Sequence, residues 1–330
     1  MALKALSITA AVIGMGAFLT GCAAQIRADR AEAAYPPIGD FVEVTGGRVH
    51  YVQEGSGPDV VLLHGAGGNL RDFTFSLVGK LSDRYRVTAF DRPGLGYTDR
   101  VPGVPTGPLA TEGDSPTAQA EMLREAAAAL EIENPIVVGH SFGGIVAMAW
   151  ATTGLDQQRP TDARAIVSFA GVLMPWPGDL GAYYTVNGSA FGGLVTVPLI
   201  SAFVPESRVE EAVATTFAPQ DPVDGYIDYI GGALALRPET FRANARQVNT
   251  LRPHVVEMEK RYPDLTLPIE ILHGTADTTV PISVHPEELI KIVPAARLTR
   301  LDGIGHQPHQ VDEAAAIAAI DRAAERANLR

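Results

Sequence analysis

The sequence predicts an α/β fold: a mostly parallel, doubly wound sheet with helices on both faces and an inserted helical cap. Three observations predict it. Short aliphatic runs such as Val60-Val61-Leu62-Leu63 and Ile136-Val137-Val138 lack polar alternation, as strands buried on both faces do. Helix-forming stretches separate those runs, the usual way of joining parallel strands. The runs end in glycine-rich or charged loops, and ligands bind at that edge of an open α/β sheet.

The elements follow in chain order. Lys4 precedes an apolar run from Ala5 to Leu19, which ends Leu19-Thr20-Gly21-Cys22. The run is shorter than the ~20 apolar residues of a membrane span and suits the core of a secretory signal. The segment resembles the lipobox of bacterial lipoproteins. That resemblance implies loss of residues 1–21 as a lipoprotein signal peptide and a lipid on Cys22. It also implies anchorage to a membrane of the bacterial cell envelope. The other reading is an uncleaved anchor helix with an incidental cysteine. Cys22 is the sole cysteine, so no disulfide forms within the chain. Residues 22–40, with Tyr35-Pro36-Pro37, read as a tether, and 41–330 as the folded domain.

Phe41–Val44 and Val49–Val52 flank Thr45-Gly46-Gly47-Arg48 and read as a hairpin. Val60–Leu63, Arg86–Phe90, Ile136–Val138, Ala165–Phe169, Ile269–Leu272 and Leu298–Leu301 read as the remaining strands. Ser115 caps a helix with Pro116 in its first turn, running through Ala118 to Leu130. Asp312 and Glu313 open a closing helix with Ile317 and Ile320 on one face. From about 173 to 267 the strand rhythm stops and aromatic residues accumulate, among them Trp176, Tyr183, Tyr184 and Tyr226. This reads as the helical cap, with helix starts at Glu206, Pro222 and Pro238.

Composition narrows the function. Apolar residues make up 46% and charged residues 19% of the 330, which suits a globular core. A net charge of -12 argues against a nucleic-acid partner, which needs a basic stripe.

The chemistry sits in four blocks. Gly139-His140-Ser141-Phe142-Gly143 follows a strand and precedes a helical run. A serine on such a turn is presented as a nucleophile, its flanking glycines make room, and the next helix points its N-terminus at the site. His64-Gly65-Ala66-Gly67-Gly68 turns tightly enough to present backbone amides. The amides of Ala66 and Phe142 are the candidate oxyanion donors, with Gly67 as fallback for the first. Asp277 follows a strand and a Gly274 loop, and Val280-Pro281 opens the next helix. His306 follows the last strand. Serine needs an imidazole base, and the imidazole needs a carboxylate to fix its tautomer. The order Ser141, Asp277, His306 supplies this, with a base titrating near ~6 to 7. His309 is the alternative base. His64, Asp91, Arg92 and Asp302 read as turn residues, and His140 and His273 as packed neighbours of the site.

Together the H-G-x-G-G, D-R-P-G-x-G, G-H-S-x-G-G, G-x-x-D and G-H blocks resemble the α/β-hydrolase superfamily, from Phe41 to the C-terminus. The resemblance implies a serine hydrolase acting on a small carbonyl substrate, esterase-like or lactonase-like, without metal or organic cofactor. Carbon–carbon bond hydrolases and perhydrolases share these blocks. Relatives with aspartate as nucleophile, the dehalogenases and epoxide hydrolases, do not fit Ser141. A lipoprotein that uses the fold only to bind is the non-enzymatic alternative.

Overall fold

The computed structural model describes residues 2–157 and 159–330, with residues 2–8 described by backbone alone. Eight strands form one sheet: β1 (Asp40–Val44), β2 (Gly47–Gly55), β3 (Asp59–Leu63), β4 (Arg86–Phe90), β5 (Ile136–His140), β6 (Ala165–Phe169), β7 (Ile269–Gly274) and β8 (Ala296–Leu301). Their order is β1-β2-β4-β3-β5-β6-β7-β8. β1 and β2 pair antiparallel through a tight turn in which Val44 faces Gly47, and β2 pairs antiparallel with β4. All later pairs are parallel.

Alternate residues of each central strand feed two cores. Val61, Leu63 and Val137 join one, while Val60, Leu62 and Val138 join the other. The first core is covered by α2 (Pro116–Ala129) and α3 (Phe142–Gly154), and the second by α9 (Glu313–Arg326). The expected Ser115 cap forms, and Asp312, read as an acidic residue at the start of the closing helix, caps it as well. Ser115 Oγ accepts the Ala118 amide at 3.1 Å, and Asp312 Oδ1 accepts the Ala315 amide at 3.0 Å. Each satisfies an amide that the first helical turn leaves without a partner.

Between β6 and β7 the described residues form helices and no strand. They include α4 (Ala182–Gly188), a π-helical turn (Gly192–Thr196), α5 (Val197–Phe203), α6 (Glu206–Phe217), α7 (Pro238–Asn249) and α8 (Leu251–Glu259), with short helical turns at Tyr226–Tyr229, Gly232–Leu236 and Tyr262–Asp264. Glu206 and Pro238 start helices as expected. Pro222 does not, because Gly225 at φ +79° interrupts the helical path and the turn begins at Tyr226. Val280-Pro281 likewise opens a turn, and the helix itself starts at Pro286.

The expected tether is corrected. Residues 22–34 continue one helix, α1 (Ala2–Ala34), and only the stretch after it is irregular. α1 lies against α5 and the 232–236 turn. Among its described side chains the buried ones are Ala24, Ala28 and Ala31, spaced four and three apart, so one helical stripe of methyl groups packs on the cap. Glu32 pairs with Arg237 at 2.8 Å. By length and composition, Thr9–Ala34 could cross a membrane.

Candidate active site

Ser141 sits where β5 becomes α3, with φ 52° and ψ -117°. A non-glycine residue pays for that conformation in strain. Its surroundings enforce the turn. A Cβ on Gly139 would meet Gly143 O at 2.1 Å, and one on Gly143 would meet Leu63 O at 2.0 Å. The first would force the end of β5 away from the start of α3, and the second would push α3 off β3. The Ser141 amide donates to Phe169 O, which ties the turn to β6.

Asp277 follows β7 and His306 follows β8, so adjacent parallel strands deliver both to the edge that carries Ser141. Ser141 Oγ–H donates to His306 Nε2 at 2.9 Å, and His306 Nδ1–H donates to Asp277 Oδ2 at 2.7 Å. The other carboxylate oxygen of Asp277 accepts the amides of Thr279 and Val280 at 2.8 and 2.9 Å. All three side chains are buried. Burial pulls the Asp277 carboxyl upward, but His273 and His306 beside it hold it well below the usual carboxylate range. Burial lowers His306 below its ordinary value of 6.5, against the opposing effect of its hydrogen bond to Asp277. The site therefore holds an ionised acid, a neutral imidazole and a hydroxyl aligned to lose its proton.

The loop 64–68 lies over Ser141. A Cβ on Gly65 would come within 3.1 Å of Ser141 Cβ. Among the described residues, the amides of Ala66 and Phe142 have no protein acceptor. The fallback donor is excluded, because the Gly67 amide donates to Asn244 Oδ1 at 2.7 Å.

His309 does not take the place of the base. Its Nε2–H donates to Asp72 Oδ1 at 3.1 Å, and its ring stacks on Phe169. Asp72 also accepts Tyr226 OH at 2.6 Å and Gln310 Nε2 at 3.0 Å. The His140 ring stands 3.5 Å from this carboxylate, and its Nε2–H donates to the His306 carbonyl at 2.9 Å. Asp72, His140 and His309 are close enough together to hold a metal ion. Three protein donors already serve the Asp72 carboxylate, however. Their positions in the chain are too far apart to form a readable motif.

His64 and Arg92 do more than stabilise their turns. The Arg92 amide donates to His64 Nε2 at 2.9 Å, and its guanidinium reaches His64 O and Gly65 O at 2.8 and 3.1 Å. It lies 4.3 Å over the Phe142 ring. Arg92 thus clamps the loop that carries Ala66 to the residue that carries the second free amide. Burial and then the Arg92 charge lower His64 to about 4. It stays neutral, as an acceptor at Nε2 must.

The cap closes the site. Thr216 O accepts the His306 amide at 3.2 Å, and Gln220 Oε1 accepts the Gly305 amide at 3.0 Å. A cavity of about 110 Å³ runs between loop 65–69 and the cap residues Val209, Val213 and Tyr226. Ser141 does not line it; its neighbours Gly65 and His140 do.

Residues 60–320 match the family model described as "Alpha/beta hydrolase family". An uncharacterized protein of Mycobacterium tuberculosis is 30% identical over 296 residues, 87% of this chain and 81% of its own. The esterase RhEst1 from Rhodococcus sp. ECU1013 superposes with a TM-score of 0.65 at 21% identity, covering 87% of this chain and 98% of that one. The enol-lactonase from Burkholderia xenovorans LB400 superposes with a TM-score of 0.64 at 16% identity, covering 86% and 99%. Both structures bear on the fold alone.

Proposed function

The chain belongs to the alpha/beta hydrolase family, and from that premise we propose that it is a serine hydrolase cleaving a carboxylester or lactone. One observation carries the reading: the hydrogen-bonded chain in which Ser141 donates to His306 at 2.9 Å and His306 is oriented by Asp277 at 2.7 Å. Ser141 Oγ attacks the carbonyl carbon as His306 Nε2 takes its proton. The amides of Ala66 and Phe142 hold the oxyanion. The proton passes to the departing alkoxide, the C–O bond breaks, and an acyl group stays on Ser141. Water then attacks the acyl carbon with His306 again as base, releasing the acid and restoring the serine.

The test is turnover of a panel of esters, lactones and vinylogous diketones. Ser141→Ala or His306→Ala is expected to lower ester or lactone turnover by roughly 10⁴-fold with the fold intact. Turnover of the diketones alone points to carbon–carbon hydrolysis. Unchanged ester turnover in Ser141→Ala defeats the mechanism.

We also propose that Cys22, exposed on α1, carries a lipid after removal of residues 1–21 and holds the protein on the bacterial envelope membrane. The mass of the intact membrane-extracted protein checks this. A start at a modified Cys22 is expected, and an unmodified chain beginning at Met1 refutes it.

A further inference from the structure

Exposed large apolar side chains are concentrated on two segments of the chain. Among the described residues, all of them except Phe41, Leu109 and Leu155 lie on α1 or between Leu180 and Phe203. The segment from Leu180 to Phe203 contains no charged residue, in a chain whose net charge is -12. Its two sides differ. Val197, Ser201 and Ala202 face inward, and Val197 packs on Leu236 and Phe241. Phe191, Leu194, Val195, Leu199 and Phe203, at i, i+3, i+4, i+8 and i+12, face outward. Phe191 is 60% and Phe203 63% exposed. A soluble surface rarely leaves such a stripe uncovered, and a continuous apolar face with no charge marks an interaction site.

The position of the stripe identifies its occupant. α1 crosses the molecule against α5, the helix that carries Leu199 and Phe203. Among its described side chains the first buried one is Ala24, and from Thr9 to Leu19 it is exposed throughout. No charged residue occurs from Ala5 to Ile26. At ~1.5 Å per residue that stretch is ~33 Å long, close to the ~30 Å of a hydrocarbon core. Arg27 follows it directly, with Asp29 and Arg30 just beyond, so a cation stands where lipid phosphates lie. A lipid on Cys22 brings the bilayer to the same place as an uncleaved span, because Cys22 is two residues from Ala24. Either way the apolar stripe of the cap meets the membrane surface beside α1.

We propose that the outer face of the cap, from Phe191 to Phe203, is a bilayer-docking surface that sinks into the acyl boundary and holds the cap against the lipid. Docking gives the protein a second membrane contact besides α1. Two contacts fix the orientation of the body, whereas one leaves it free to swing.

The test uses the full chain in phosphatidylethanolamine–phosphatidylglycerol vesicles. In a Cys22→Ala background, Leu199→Cys, Phe203→Cys and Leu155→Cys each carry one nitroxide. Collision with oxygen and with a water-soluble nickel chelate is then measured. Labels at 199 and 203 are expected to favour oxygen by several-fold over the label at 155. Equal nickel access at all three sites overturns the proposal. Exclusion of both reagents at 199 and 203, with dipolar broadening between labels, assigns the face to a second copy of the chain and also overturns it. A separate variant, Leu199→Glu with Phe203→Glu, keeps turnover of a short water-soluble ester. It is expected to lose oxygen preference for a label at 195, introduced as Val195→Cys. The collision readouts need no activity, so they fail or succeed independently of the serine mechanism.

Discussion

At the residue scale, the protonation state of His306 governs the proposed chemistry. Burial lowers its pKa below 6.5. A protonated His306 accepts no proton from Ser141, so activity is present above that pKa and is lost as pH falls through it. The kcat/KM profile is therefore expected to have its acid limb below pH 6.5, the ordinary histidine value. A limb above pH 7 contradicts the burial argument. Asp277→Asn is expected to cut kcat severely, because an amide can hold the imidazole in the wrong tautomer.

Ser141, Asp277 and His306 were legible because each follows a strand in a short motif. Asn244 was not: it lies 177 residues from Gly67, and only the folded cap brings its amide oxygen there. Arg92 was read as a turn residue for the same reason, since its partners Gln119 and Gln247 come from separate helices. His309 was the nearest competitor in sequence, and Asp72, far off in the chain, is what holds it away from Ser141.

At the element scale, the elbow depends on close backbone approach between β3 and α3. Gly143→Ala places a methyl 2.0 Å from Leu63 O, where neither backbone can yield cheaply. A loss of about 1–3 kcal/mol or more in urea unfolding is expected, together with loss of activity. Unaltered stability would mean that the strands there are less tightly set than the structure describes. The strands themselves were legible because burial on both faces removes polar alternation. The first helix was misread beyond Cys22. Ala24, Ala28 and Ala31 look like low-complexity filler in a linker, yet their small size lets α1 approach the cap closely. That stripe has meaning only once α5 exists to receive it.

At the scale of the whole molecule, several histidines are buried neutral. Burial, followed by the Arg92 charge for His64 and the His273 charge for His285, lowers both to about 4 from 6.5. Below 6.5 the unfolded chain takes up protons that the native state refuses, so stability falls as pH drops from about 6.5 toward 4. Asp72, Asp91 and Asp277 are held below the ordinary carboxylate value and extend the loss further into acid. A urea midpoint that declines between pH 7 and pH 5 is expected; a flat midpoint contradicts the neutral-histidine account.

The central claim is that Ser141 forms a covalent acyl-enzyme under the control of His306. Intact-mass measurement of the chain after a fluorophosphonate probe, followed by peptide mapping, tests it most directly. The account predicts a single adduct on Ser141, absent in Ser141→Ala and formed far more slowly in His306→Ala. An unmodified Ser141 in the folded protein, or labelling that persists in Ser141→Ala, contradicts it.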